Sequence, residues 1–214
     1  MSSSTETSEA GRRAQTKARN RAAILAAARR VFAEQGYEAA SVRDIIRRTD
    51  LASGTFYNYF RSKEVIARAL AADAAERLRP LLRAERDRAP DLEAWLGGAL
   101  RAYFHFLVED YGGTVAGLPH VRIDATPAQR AVFEEIRQTL TGILGDRLAP
   151  EADTAYLTAG AIGIARYVGE QMLRRSPPDP DGAARFAARL ILYGLPAAAS
   201  GMDRIAEGRE RPEA

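Results

Sequence analysis

The amino-acid sequence predicts an all-α protein of eight or nine helices. Three observations support this class. Apolar residues recur at intervals of three and four, which places them along one side of a helix. Several of these segments begin at a Ser, Thr or Asp that can cap a helix, and they end at a Gly or a Pro. No segment alternates apolar and polar residues as a half-buried strand does.

The first helix is predicted over residues 17–35, and Gly36 follows it in the position of a C-terminal cap. Its apolar stripe consists of Ile24, Ala28, Val31 and Phe32. The chain ahead of it begins with a stretch rich in Ser, Thr and Glu, a composition typical of disorder, and then becomes basic. We therefore predict a flexible basic arm over 1–16.

Three further helices follow closely. Ser41 and Asp44 have the spacing of a capping box, which predicts that a short second helix begins there. A third helix is predicted over 52–60, and Ser62 caps a longer fourth helix with a bend expected at Pro80. The first three helices, with a tight turn between the second and the third, have the form of a helix-turn-helix.

The later helices are predicted over 91–110, 126–148, 151–175 and 179–196. The second of these four has the clearest start, because Thr126 is an N-cap, Pro127 stands at the first helical position and Gln129 at the third. Gly and Pro residues within 112–119 predict an irregular piece between the fifth and sixth helices.

Composition narrows the function classes. Hydrophobic residues make up 46% of the chain, which is enough for a core, and the absence of cysteine excludes disulfides, thiolate zinc sites and thiol nucleophiles. Residues 1–68 hold thirteen Lys and Arg against seven Asp and Glu, whereas the remainder holds eighteen against twenty-one. This basic first third indicates a polyanionic partner, and a lopsided solvated surface is the alternative.

Two segments of the basic first third carry a specific motif. They read Ser41-Val42-Arg43-Asp44-Ile45-Ile46 and Leu51-Ala52-Ser53-Gly54-Thr55-Phe56-Tyr57-Asn58-Tyr59-Phe60-Arg61-Ser62-Lys63-Glu64. This motif resembles the N-terminal signature of the TetR (tetracycline-repressor-like) regulators, and the match covers 21–66 without a gap. Two positions depart from the common pattern, since Asp50 stands where many members have Gly and Tyr59 where His is frequent.

The resemblance implies a homodimeric one-component transcriptional regulator, with repression as the expected action and double-stranded operator DNA and a small-molecule effector as its partners. The DNA-binding domain would span 17–64 and the helical ligand-binding and dimerisation domain 65–202. A charged tail is predicted over 203–214. No cofactor, catalytic residue or metal site is expected. We also expect a cytoplasmic protein without a membrane span, because no uncharged stretch approaches the roughly 20 residues required.

The third helix is predicted to enter the major groove, where small or polar residues at its N-terminus permit close approach. Asn58 could pair with an adenine edge, and Arg43 could reach a base or a phosphate. By resemblance Lys63 is the family's phosphate-binding lysine. The full set of predicted DNA contacts is Ser41, Arg43, Ser53, Gly54, Thr55, Tyr57, Asn58, Tyr59 and Lys63.

The resemblance also implies dimerisation through the last two long helices. The first of them is rich in Ala and Gly, which suits close approach to a partner helix, although a helix buried inside the protomer would suit these residues equally. The predicted interface residues are Ala159, Gly163, Arg189 and Tyr193.

Aromatic residues crowd the helix predicted over 91–110, so that more than one of its faces must be covered. Either this helix is simply central, or one of its faces lines a cavity for an apolar or amphipathic effector. The predicted effector site consists of Trp95, Tyr103, His105, Phe106, Arg166 and Tyr167.

Two other functions are considered. A helical-bundle di-iron enzyme needs Glu-x-x-His pairs, and neither histidine has a Glu three residues before it. The phosphate-cradling, nucleotide-binding and nucleophile-elbow motifs are also missing. An architectural DNA-binding protein without an effector stays open, although the size of the C-terminal region disfavours it.

Overall fold

The structure is a computed structural model that describes residues 3–111, 126–145 and 153–207. Over these ranges the chain forms eight helices and no strand, which confirms the predicted class. The irregular piece predicted within 112–119 and the end of the predicted tail, 208–214, lie outside them. The helices are α1 (Ser3–Gln35), α2 (Val42–Ile46), α3 (Ser53–Tyr57), α4 (Lys63–Arg88), α5 (Leu92–Tyr111), α6 (Pro127–Leu144), α7 (Thr154–Leu173) and α8 (Pro180–Glu207).

Both predicted capping boxes are present. The Ser41 hydroxyl accepts from the Asp44 backbone N–H, and the Asp44 carboxylate accepts from the Ser41 backbone N–H at 3.0 Å. Hydrogen bonds from the Ser41 side chain and backbone to the carboxylate hold the pKa of Asp44 below its usual value. Thr126 and Gln129 make the same exchange at the start of α6. Short-range sequence signals therefore place these two helix starts correctly.

The start of α1 differs from the prediction. The helix begins at Ser3 rather than near residue 17, so the arm predicted to be flexible over 1–16 is helical from Ser3 onward. The stretch contains no proline, and Ala, Arg, Gln and Glu all favour a helix enough to offset the single Gly11. The composition of this stretch is typical of disorder, but the stretch directly continues the helix predicted over 17–35 and is helical with it.

The end of the last helix also differs from the prediction. The sequence predicted an end at 196, but α8 continues through Pro196 to Glu207, and α4 runs unbroken past Pro80. A proline removes one backbone donor and crowds the preceding turn, without removing the hydrogen bonds on either side of it. Three consecutive alanines after Pro196 favour continuation of the helix.

Two clusters of buried side chains divide the protein. The head consists of α1, α2, α3 and the first two turns of α4, and its core includes the fully buried Ile24, Phe32, Ile45, Phe56 and Ile66. The body consists of α5 to α8 and the remainder of α4, and its core includes Trp95, Phe104, Leu107 and Ile191. Helix α4 therefore belongs to both the head and the body.

Of the helices described, none is both long and apolar enough to cross a membrane.

Candidate DNA-binding surface and internal cavity

Helix α3 buries one residue and exposes most of the others. Phe56 is fully buried in the head core and fixes the orientation of the helix. Ser53, Gly54, Tyr57 and Asn58 are exposed on the other side, and a Cβ built at Gly54 would meet nothing within 4 Å. The short helix thus presents a small, polar, open surface, as the sequence predicts for a helix that must approach base edges.

The two tyrosines after Phe56 lie in different environments. Tyr57 is 47% exposed, and its ring makes a T-shaped contact with that of Phe56, with ring centroids 5.9 Å apart. Tyr59 is half-buried, and its hydroxyl oxygen accepts a hydrogen bond from Asn20 Nδ2 at 3.3 Å. The phenolic proton of Tyr59 is thereby left to donate outward, for example to a phosphate oxygen.

Lys63 is engaged within the protein. Its Nζ donates to the carbonyl oxygens of Tyr37 at 2.8 Å and Glu38 at 3.1 Å, and it lies 4.5 Å from the centroid of the Tyr37 ring. The lysine therefore ties the start of α4 to the segment after α1. Its predicted contact with phosphate would use the remaining N–H of the ammonium group.

The other two predicted DNA contacts lie at the start of α2. Arg43 is exposed and faces solvent, whereas the Ser41 side chain is occupied by the capping box. Ser41 therefore orients α2, and its own contact with DNA stays a prediction.

A basic groove, which sequence reasoning did not assign, separates the N-terminal part of α1 from α3. The arginines and lysine on its α1 side are exposed, and the other side carries predicted base and phosphate contacts. The groove is lined by Arg12, Arg13, Thr16, Lys17, Thr55, Asn58 and Tyr59. The continuation of α1 ahead of residue 17 places Arg12 and Arg13 opposite α3, and no local sequence pattern indicates that geometry.

The body contains a cavity of about 270 Å³ between α4, α5, α6, α7 and α8, and this cavity is partly open to solvent. Four of the predicted effector-site residues lie in its wall, namely Trp95, Tyr103, Phe106 and Arg166. Most of the remaining wall is Ala, Leu, Ile, Val and Phe. The cavity is therefore apolar with a few polar groups, as ligand sites usually are.

The predictions for His105 and Tyr167 need correction, because neither residue lines the cavity. His105 is exposed, and its Nε2 lies 3.3 Å from Asp181 Oδ1 on α8. Tyr167 is 69% exposed. Successive helical residues are about 100° apart, so His105 points away from the face that carries Tyr103, and Tyr167 is rotated away from Arg166.

The polar groups of the cavity wall are unevenly paired. Burial raises the pKa of the Tyr103 hydroxyl to about 12, and the nearby positive charge of Arg166 opposes that rise. Glu170 is already bound, since its Oε1 accepts from Arg174 at 2.7 Å. Gln129, which sequence reasoning used only as a helix cap, also faces the cavity.

An ion-pair network joins the head to the body, and sequence reasoning missed it. Asp110 on α5 has a side chain only 5% exposed and pairs with Arg77 on α4 and with Arg29 on α1, whose Nε is 3.4 Å away. Asp73 on α4 pairs with the same two arginines. The guanidinium carbon of Arg77 lies 5.0 Å from the centroid of the Phe106 ring, which lines the cavity.

The outer faces of α7 and α8 expose large apolar side chains. Tyr156 is 80% exposed, Phe186 60% and Tyr193 65%. Tyr156, Ala159, Gly163 and Tyr167 are spaced three or four residues apart and so share one face of α7. In the single protomer these faces therefore present large apolar side chains to solvent, the kind of surface that interaction sites use. The predicted interface residues Arg189 and Tyr193 are also exposed on α8.

Comparison with known proteins agrees with this geometry. Residues 24–70 match the family model of bacterial regulatory proteins, tetR family. The HTH-type transcriptional regulator YdgC of Bacillus subtilis is 26% identical over 183 residues, covering 82% of this chain and 92% of that protein. The HTH-type transcriptional repressor Rv1474c of Mycobacterium tuberculosis is 36% identical over 91 residues, covering 39% of this chain and 49% of that protein.

Solved structures share the fold over most of the chain. The fatty acid degradation regulator FadR from Bacillus halodurans superposes with a TM-score of 0.69 at 23% identity, covering 82% of this chain and 96% of its own. The TetR family transcriptional regulator PfmR from Thermus thermophilus superposes with a TM-score of 0.58 at 25% identity, covering 80% of this chain and 98% of its own.

Proposed function

We propose that this chain, which is a transcriptional regulator with a TetR-family DNA-binding domain, acts as a homodimeric repressor released by a small amphipathic effector. Each protomer would read one half of an inverted-repeat operator. The observation that carries the proposal is the arrangement of α3, which hides Phe56 and presents Ser53, Gly54 and Asn58 outward. A repressor of this kind would work beside the chromosome, in the cytoplasm.

The proposed DNA contacts of the head have two roles, base readout and phosphate binding. Asn58 is the candidate for direct base readout, because an amide side chain can pair twice with the edge of an adenine. Tyr59, Arg43 and the cations of the basic groove would hold the phosphate backbone, which positions the protein without reading sequence. Lys63 would support the same backbone contacts while it fixes the segment after α1.

Dimerisation explains the exposed apolar faces of α7 and α8. Two copies related by a twofold axis would bury Tyr156, Gly163 and Phe186 in one self-complementary interface. A Cβ built at Gly163 meets nothing within 4 Å of its own protomer, so this glycine leaves room for a partner helix. The twofold axis would set the two recognition helices about 34–36 Å apart, one turn of DNA.

Helix α4 supplies a physical route from effector to DNA. Ile66 and Leu70 near its start are buried in the head core, whereas Ala75, Leu78 and Leu82 line the cavity. A ligand that shifts the cavity wall would therefore shift the helix that carries the head. The ion pairs of Arg29 and Arg77 with Asp110 would transmit the same displacement to α1.

Small ligands are found in other proteins of this fold, since a structure of RolR contains resorcinol and a structure of FadR from Bacillus subtilis contains stearoyl-CoA. A cavity of about 270 Å³ is nearer in size to the first of these ligands than to the second. The cavity is what favours an effector-released regulator over an architectural DNA-binding protein.

The proposal is tested by selecting bound duplexes from a random DNA pool with the full-length protein. We expect enrichment of an inverted repeat whose half-sites are centred about one helical turn apart. Asn58→Ala, carried through the same selection, should relax one base position in each half-site. Retention of DNA without any enriched sequence would overturn the proposal and favour the architectural alternative.

A further inference from the structure

The volume of the body cavity indicates the size of the apolar group that it can cover. Its volume is about 270 Å³. It exceeds the ~150 Å³ of a cavity that holds benzene and falls just below the ~300 Å³ at which drug-sized pockets begin. An occupant with about eight carbons and a small head group matches this volume.

The polar groups on the cavity wall are mostly donors. Burial raises the pKa of Tyr103 to about 12, so its hydroxyl stays protonated, and it donates to no other described residue. The carbonyl oxygen of Gln129 is held by Thr126, which leaves the amide N–H groups of Gln129 available. Donors in a dry wall require an acceptor from the ligand.

The charged side chains of the cavity wall also favour a ligand that carries hydrogen-bond acceptors. Arg166 brings a positive charge close to the Tyr103 hydroxyl. It has five N–H donors, enough to bind a ligand oxygen in addition to the contact it already makes. The negative charge of Glu170 is offset by Arg174 at 2.7 Å. The Arg166 side of the cavity therefore offers N–H donors to a ligand oxygen, whereas the acceptor Glu170 is already bound.

We infer that the effector is a small amphipathic carboxylic acid, its carboxylate held by Arg166, Tyr103 and Gln129 and its apolar body lying against Trp95 and Phe106. This inference rests on the proposed function, since it names the ligand class of the same cavity. A carboxylate suits the guanidinium because two parallel N–H groups can donate to its two oxygens.

The test compares three probes with one chain length and different heads: octanoate, 1-octanol and octylamine. Binding to the full-length protein, without DNA, is measured by calorimetry at pH 7. Octanoate should bind at least 10-fold more tightly than 1-octanol, and octylamine should not bind. Arg166→Gln should weaken octanoate by roughly 10- to 100-fold, the range for a lost charged hydrogen bond, and leave 1-octanol nearly unchanged.

Two further variants separate charge from packing. Tyr103→Phe keeps the ring and removes one donor, so octanoate should weaken by several fold. Arg101→Gln removes a cation from an exposed position on α5 outside the cavity and should change nothing. Equal loss of octanoate and 1-octanol in Arg166→Gln, tighter binding of octylamine, or no binding of any probe would each overturn the inference.

The outcomes also separate this inference from the proposed function. Operator release by a neutral or cationic molecule bound in the cavity would remove the inference and keep the effector-released regulator. Octanoate binding that leaves operator affinity unchanged would keep the carboxylate site and remove its regulatory role.

Discussion

The head and the body are both helical, but their interiors are built differently. The head core is closed around Phe32 and Phe56, and its residues fall within a short stretch of sequence, 24–70. The body core surrounds a cavity whose wall draws on five helices, from Ala71 to Ile191. The residues that orient the candidate DNA-binding surface therefore lie close together in the sequence. The residues of the cavity wall lie far apart, because five helices contribute to it.

The two regions should differ most in how strongly a large-to-small substitution destabilises them. Phe56→Ala should destabilise the head by about 3–5 kcal/mol and abolish operator binding, because the side chain is fully buried. Phe106→Ala should cost less, close to the lower end of that range at about 3 kcal/mol, since its ring already borders empty space. Urea unfolding, with operator affinity measured in parallel, checks both. A Phe106→Ala protein that loses operator binding as completely as Phe56→Ala would make Phe106 a packing residue only.

The second difference concerns the outer face of the body. Gly163→Arg should give a folded monomer or a weakened dimer, with operator affinity reduced by about 10²- to 10⁴-fold because two half-sites are no longer bound together. Gly142→Arg is the matched control, since Gly142 is exposed on α6 and a Cβ there also meets nothing within 4 Å. Light scattering that shows an intact Gly163→Arg dimer would move this residue off the interface.

The third prediction addresses the junction between the two regions. Asp110→Asn removes one of the two carboxylates that Arg29 and Arg77 share and should cost about 2 kcal/mol. This is less than for a fully buried pair, because both arginines are partly exposed and still pair with Asp73. The same variant should shrink the effect of octanoate on operator affinity. Glu109→Gln, the exposed neighbour, is the control and should leave both quantities unchanged. If octanoate changed the operator affinity of Asp110→Asn as much as that of the unchanged protein, α4 would be the sole route that couples the cavity to the head.

The smallest effects separate two contacts within the head. Asn58→Ala should cost roughly 1–3 kcal/mol at one base position only. Lys63→Ala should weaken operator and random DNA alike and reduce the salt dependence of binding by about one ion. Competition titrations at several salt concentrations distinguish the two patterns. Uniform loss in both variants would remove Asn58 from base readout.

The sequence predicted the head in more detail than the body for physical reasons. Capping at Ser41 and burial of Phe56 depend on neighbours within a few residues, so local patterns indicate them. The pairing of Arg29 with Asp110 joins helices far apart in the chain, and no local pattern indicates it.

Within the body, the sequence indicated α5 as a helix that could line a cavity, but it did not indicate which of its side chains face the cavity. Tyr103 and Phe106 line the cavity as predicted, whereas His105 lies about 200° around the helix from Tyr103 and pairs with Asp181. A density of aromatic residues shows that a helix is covered, but only the packed neighbours decide which side faces a space. The interface predicted from the sequence contains Ala159, Gly163, Arg189 and Tyr193. It does not include the large exposed side chains Tyr156 and Phe186, because the small residues of α7 and not its tyrosines suggested close helix packing.

The central claim is that the occupant of the cavity sets the spacing of the two heads. The chain has no cysteine, so Arg61→Cys, at an exposed position between α3 and α4, gives one spin label per protomer. Double electron–electron resonance on the labelled dimer then measures one distance between heads, with and without saturating octanoate. We expect the mean distance to shift by several ångströms when octanoate binds. An unchanged distribution, at octanoate concentrations that calorimetry shows to be saturating, would contradict the account.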